Sequence, residues 1–418
     1  MNRNIRLLAI GVGARNLGSS LYGPFIALFL HNVLALGYVE IGLLIVFIGS
    51  IQIPFAIVGG LIADRVRRKT LMMAGLVAEA IATSFLAYAF SIESLVLAIT
   101  AAVCGGIVTT LSGPSFSAYI ADFAAGAERT RGFTLMRIGF NAGYAAGVAM
   151  GGLLIAFIGF SGGVAVAAGV IFAVTLAMYL LLDHSPRDQA RAATPPEALR
   201  SSSPASDPKP ARRSFGDSIR VIARDRASLE VAVAFGLIAF LVGQWGIIYP
   251  LYVHNVLGIS YSLLGVGLAL NGLVVVFGQN ATTKSVLGWR HTTIALVGLA
   301  FYAAAFLGLG AAGLWNLLPV VVFFVSVVVL TVGENLVSIP QMTMPSNLAP
   351  PEEIGSYNGA FSAFNSFGVI LATLAGGVVL ALTTNPLLIW VILLVPAVPA
   401  VFLLRSAAHH IPDKANRA

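Results

Sequence analysis

Apolar residues run for about 20 to 28 positions at a time along most of this chain, and short polar turns separate the runs. A helix of that length crosses a hydrocarbon layer about 30 Å thick. Twelve such helices are predicted, near residues 6–31, 39–62, 70–91, 95–121, 131–158, 163–182, 228–254, 261–284, 292–312, 316–345, 355–382 and 386–405. The pattern breaks once, between 183 and 227, where Pro, Ser, Ala and Arg dominate. That stretch lacks the apolar surface for a core and is expected to be a mostly disordered linker. Its last part is expected to differ: Ser214 caps a short helix with Phe215, Ile219 and Ile222 on one face and Arg220 and Arg224 on the other, suited to a membrane surface. The expected organisation is a six-helix bundle over 1–182, the linker over 183–227, a second bundle over 228–405 and a tail over 406–418.

Composition narrows this to an all-α membrane protein. Hydrophobic residues make up 58% and charged residues 10%, whereas soluble globular proteins carry about a quarter charged residues. The net charge of +7 is not a nucleic-acid footprint, because its distribution follows the turns. With alternating helices, the N-terminus, the even-to-odd connections and the C-terminus hold every Lys and Arg except Arg15 and Arg137, which lie inside helices. By the positive-inside rule those segments, and both termini, are cytoplasmic. The first run continues past Leu28 without a small-residue cleavage site, so it reads as a retained helix, and an inner or plasma membrane is the expected location.

The two bundles are repeats. His31-Asn32-Val33-Leu34 recurs as His254-Asn255-Val256-Leu257 at an offset of 223, which also brings Tyr38 onto Tyr261, Gly42 onto Gly265, Gly49 onto Gly272 and Tyr22 onto Trp245. Ser112-x-Pro114 answers Ser338-x-Pro340 at 226, and Asn141 answers Asn365 at 224. Parallel repeats of six helices are an architecture of secondary transporters.

Candidate chemistry is sparse. Cys104 is the one cysteine, no His/Cys cluster suits a metal, and neither a phosphate-binding Gly-x-x-x-x-Gly-Lys-Ser/Thr loop nor a catalytic triad occurs. The chain is therefore not expected to be an enzyme or to need a cofactor or metal. Ionisable groups within membrane helices are functional candidates by default. Glu334 lies about eleven residues, roughly 16 Å, from the cytoplasmic end of helix 10, and is expected to couple transport to protons. Thr331, Asn335, Ser338 and Gln341 extend a polar stripe around it. Arg15 in helix 1, with Gly18, Ser19 and Tyr22 on its side, is the matching cation. Its alternative is to reach the inner interface with its stem buried and its guanidinium wet. Glu79, at mid-depth in helix 3, is a second proton-coupling candidate or an interhelical hydrogen-bonder.

The turn Gly60-Leu61-Ile62-Ala63-Asp64-Arg65-Val66-Arg67-Arg68-Lys69 resembles a signature of the major facilitator superfamily, Gly-x-Leu-Ala-Asp-Arg-x-Gly-Arg-Lys between helices 2 and 3. Ile62 stands for the Leu and Arg67 for the second Gly. Gly143, Gly147, Gly151 and Gly152 in helix 5 are similar to that superfamily's exporter motif, with Val148 in place of its Pro; glycines at this spacing also permit close helix packing.

The resemblance implies two halves rocking about a midplane site lined by helices 1, 4, 7 and 10, with Arg15 and Glu334 facing one solvated space, where either they pair or Arg15 holds an anionic substrate while Glu334 handles a proton. Thr109, Ser112, Gln244, Trp245, Asn335 and Ser338 then join Arg15 and Tyr22 as substrate-binding candidates. It also implies a latch: Asp64 near the start of helix 11, about Gly355, where the helix dipole favours negative charge, and Arg65 or Arg68 with Asp122 and Arg131 closing the cytoplasmic side. The expected activity is proton-coupled efflux of a small organic molecule by a monomeric transporter in the bilayer. Alternatives are proton-coupled uptake of a metabolite, an anionic one if Arg15 holds it, a lipid flippase, or a non-transporting membrane sensor.

Overall fold

The computed structural model describes residues 2–124, 126–186, 188–189, 222, 225–316, 318–350 and 353–417. The described part is helical and follows the predicted twelve spans. They are α1 (Arg3–Ser20, resuming at Ile26–Asn32), α2 (Tyr38–Arg65), α3 (Arg68–Ser91), α4 (Leu95–Phe123), and α5 and α6, the two arms of Gly126–Leu181 on either side of Gly159. After the linker come α7 (Arg226–Gly243, resuming at Ile248–Asn255), α8 (Tyr261–Ser285), α9 (His291–Trp315), α10 (Pro319–Leu348), α11 (Ile354–Leu382) and α12 (Pro386–Leu394 and Ala397–His410). Gly159 separates α5 from α6 without a polar loop, because its φ of 72° is open to a residue without a Cβ. The two repeats break their first helix alike. A 3₁₀ turn at Gly23–Phe25, with Pro24 removing a donor, interrupts α1, and a second at Gln244–Gly246 interrupts α7.

Two compact units result. Unit 1 is Met1–Leu34, Leu44–Pro208 and Tyr261–Gly272; unit 2 is Ala35–Leu43, Lys209–Ser260 and Leu273–Ala418. In unit 1, α5 lies against α1 so closely that a Cβ added at Gly143 would overlap the carbonyl oxygen of Gly13, one at Gly147 that of Leu17, and one at Gly151 that of Leu21. Gly152 makes the same approach to the Tyr261 carbonyl at the start of α8. Small residues thus supply the packing that a membrane, already apolar, cannot drive by hydrophobic burial. A core of Ile5, Leu8, Met72, Leu76, Tyr119, Ile120 and Met178 fills the end of unit 1 nearest the Arg67–Lys69 turn.

The linker's first residues are not disordered. Asp188, 3% exposed, accepts from the backbone N–H of Arg68 (2.8 Å) and Lys69 (3.2 Å), capping α3, and Ser185 Oγ donates to Asp122 at 2.8 Å. Lys69 Nζ donates to the carbonyls of Tyr179 and Leu182. This corrects the expectation for 183–186 and 188–189: Asp188 can satisfy donors that α3 leaves open, so these residues stay down. The predicted helix from Ser214 lies outside the described residues.

The tail repeats the device in unit 2. Asn416 Oδ1 accepts from Thr292 N–H (3.1 Å) and its carbonyl from His291 N–H (2.7 Å), while Arg290 pairs with Asp413 at 2.7 Å. Each cap is expected to contribute about 1 kcal/mol. Asp188→Ala and Asn416→Ala should each lower the thermal midpoint of the purified protein; an unchanged midpoint in both would show that the caps carry no stability.

Candidate functional site

Unit 1 holds a buried ion pair. Arg15 Nε donates to Glu79 Oε2 at 2.7 Å and Nη2 to Oε1 at 2.9 Å, so the planar guanidinium meets the carboxylate with two parallel bonds. Glu79 is 7% exposed. Thr83, one turn along α3, donates to the Glu79 carbonyl at 2.8 Å, and Tyr22 lies against Thr83 and within electrostatic reach of both charges. The expectation that Arg15 faces Glu334 or a substrate anion is corrected here, because its fork is committed to α3. An anionic ligand would have to displace a carboxylate already bound with ideal geometry.

The hydroxyls of α4 turn back on their own helix. Thr109 Oγ1 donates to the Gly105 carbonyl and Ser112 Oγ to that of Val108, the usual way a membrane helix satisfies such groups. Ser112 is buried because α3 presents Gly75 there, with no side chain to hold it off. In this conformation it serves α3–α4 packing. Thr110, a position not singled out from sequence, points at Gln52 of α2 (3.3 Å).

In unit 2, Asn335 is 1% exposed and donates to the Val274 carbonyl of α8 at 3.4 Å, while Gln279 Nε2 reaches the Asn335 carbonyl and Ser338 Oγ at 3.3 Å. Asn335 and Ser338, substrate-binding candidates by sequence, join α10 to α8 here. Gln244 is fully buried and donates to the Phe240 carbonyl, and Trp245 stacks obliquely on Tyr249 with centroids 4.4 Å apart. Glu334 is half-buried and acts electrostatically on Tyr302 of α9, whose buried hydroxyl has no hydrogen-bond partner among the described residues.

A cavity of about 240 Å³ opens between α7, α10 and α11. Phe235 and Phe361 wall it, with Gln341, Asn358, Ser362 and Asn365 as its polar groups. Glu334 and Gln341 are seven residues apart on one continuous helix, which puts them on the same face about 10 Å apart along its axis.

A family model described as Major Facilitator Superfamily matches residues 8–373. The chain belongs to that superfamily. Among its relatives, an uncharacterized MFS-type transporter, YttB of Bacillus subtilis, is 24% identical over 384 residues, covering 90% of this chain and 88% of the relative. The quinolone resistance protein NorA of Staphylococcus aureus is 25% identical over 154 residues, 37% of this chain and 39% of NorA. The fold is similar to that of the nucleoside transporter NupG, with a TM-score of 0.72, 14% identity and coverage of 97% of this chain and 99% of that one. Members of this family are secondary transporters, so the chain moves a small-molecule substrate across a membrane.

For this facilitator-superfamily member, the expected latch is only partly within view. Arg68 is 4% exposed and its Nε lies 3.8 Å from Asp122 Oδ2, whereas Arg131 is exposed. The side chains of Asp64 and Arg65 lie outside what is described, as do the surroundings of Gly60 and Gly355. Ser185 and Asp188 are additions that sequence reasoning missed, since a Pro/Ser/Arg-rich stretch reads as solvated. Gln279 and Gln52 were missed as lone amides in apolar helices. Asn358 and Ser362 were missed although the signal was present: with Asn365 they recur at four- and three-residue spacing on α11.

Proposed function

We propose that this transporter exports a small organic molecule in exchange for protons, with Glu334 as the proton-carrying residue. The observation that carries the reading is Glu334's place on α10, two turns along the same face from cavity-lining Gln341. A carboxyl there gains or loses hydration as the adjoining space opens or closes, and its proton follows. Glu79, the other acid near mid-depth, is committed to Arg15 and serves to fasten α3 to α1. The same pair weighs against uptake of an anionic metabolite, because it neutralises the cation that such a substrate would need. Efflux is favoured over uptake by the partial similarity to a quinolone resistance protein, NorA, and by the likeness of the α5 glycines to the exporter motif, Val148 excepted.

The test is accumulation of a lipophilic dye in proteoliposomes under an imposed pH gradient. Wild type should accumulate dye when the lumen is acid and stop when an ionophore collapses the gradient. Glu334→Gln should reduce gradient-driven accumulation by about tenfold or more, the scale of losing a positioned proton carrier. Equal accumulation at equal abundance would remove Glu334 from the mechanism.

A further inference from the structure

We infer that the cavity between α7, α10 and α11 selects an uncharged aromatic group that carries a hydrogen-bond donor and an acceptor side by side. This rests on the reading of the chain as a transporter of small organic molecules and names the chemistry of one part of its substrate. The lining supplies three carboxamides, Gln341, Asn358 and Asn365, and one hydroxyl, Ser362. Among the described residues no lining side chain is titratable. Asn358 Nδ2 is used within the protein, donating to Ser346 Oγ (3.1 Å) and to the Ile354 carbonyl (2.9 Å). Among the described residues the side chains of Gln341, Ser362 and Asn365 have no hydrogen-bond partner, so their donors and acceptors are open to a ligand.

Carboxamides offer both a donor and an acceptor without charge, and a planar amide or heterocycle edge matches them group for group. An ionised ligand would find no counter-charge among the described lining residues, so nothing there would favour it over a neutral one. The walls suit a flat ring: Phe235 and Phe361 stand edge to face with centroids 5.9 Å apart. The volume, about 240 Å³, is below the roughly 300–1,000 Å³ of drug-sized pockets and fits a single ring with a short substituent.

Benzamide, benzoate and benzamidine have nearly one shape and differ in charge, so they separate the alternatives. Saturation-transfer NMR on the full-length protein in detergent, with no proton gradient, measures their binding apart from any coupling. Benzamide should bind, and benzoate and benzamidine should bind about tenfold more weakly. Gln341→Leu and Asn365→Leu should each weaken benzamide by about three- to tenfold, the range for losing one or two net hydrogen bonds. Ser362→Ala, a smaller change, gives a third reading should either fail to fold. Benzamidine or benzoate binding as tightly as benzamide would overturn the inference, as would benzamide binding that ignores all the substitutions. Failure of gradient-driven transport alongside selective benzamide binding would sink the proton-coupling proposal and leave this one standing.

Discussion

Glu79→Gln is expected to destabilise unit 1 by about 3–5 kcal/mol, because it strips the counter-charge from a guanidinium held in the protein interior. The pair is bidentate, 2.7 and 2.9 Å, and its side chains are only 17% and 9% exposed, so Arg15 loses its main partner while still largely shielded from water. A variant with both charges replaced, Arg15→Met with Glu79→Leu, should recover most of that loss, since well-packed apolar residues often substitute for a buried pair at little cost. Thermal unfolding of purified single and double variants measures the difference. The double variant also divides the two acids by role. If Glu79 only fastens helices, the refolded double variant retains gradient-driven transport; if transport is lost while the fold returns, coupling belongs to the Arg15–Glu79 pair.

The second large effect comes from α5. Gly143→Ala places a methyl group onto the Gly13 carbonyl oxygen, a backbone atom that cannot swing aside, so α1 and α5 must separate along their length. Overpacking of this kind costs about 1–3 kcal/mol and more where backbone is the obstacle. Expression of folded protein, followed by size-exclusion chromatography, should fall sharply for Gly143→Ala. Gly169→Ala is the matched control, because a Cβ there meets nothing within 4 Å. Equal yields of the two variants would mean that α1 and α5 pack more loosely than their backbone contacts require.

The spans were legible because the membrane imposes one simple rule, a long apolar run ended by polar residues or glycine, and Gly159 alone suffices to end α5. The repeat was legible from His31-Asn32-Val33-Leu34 and reappears as matched breaks in α1 and α7. Partnership was harder to read. A charge at a given depth does not say which neighbour it faces, and Arg15 turns toward Glu79 on α3 because helix rotation and neighbour order decide the pairing, not the depth of two opposite charges. Amides and hydroxyls were harder still. Ser112, Asn335 and Ser338 have the composition of a binding stripe, yet a membrane helix demands partners for such groups and the nearest are its own carbonyls or the adjacent helix. Asp188 and Asn416 escaped notice for the opposite reason: in polar segments a capping residue looks like any other.

Export by exchange requires protons to move opposite to substrate through Glu334. The most direct measurement is the pH inside proteoliposomes, read with a trapped fluorescent probe, when a transported dye is added outside in the absence of any imposed gradient. The lumen should become more alkaline with wild type as dye enters and protons leave, with no response from Glu334→Gln. Acidification of the lumen on dye entry, or an alkaline response undiminished by Glu334→Gln, would contradict proton exchange through this residue.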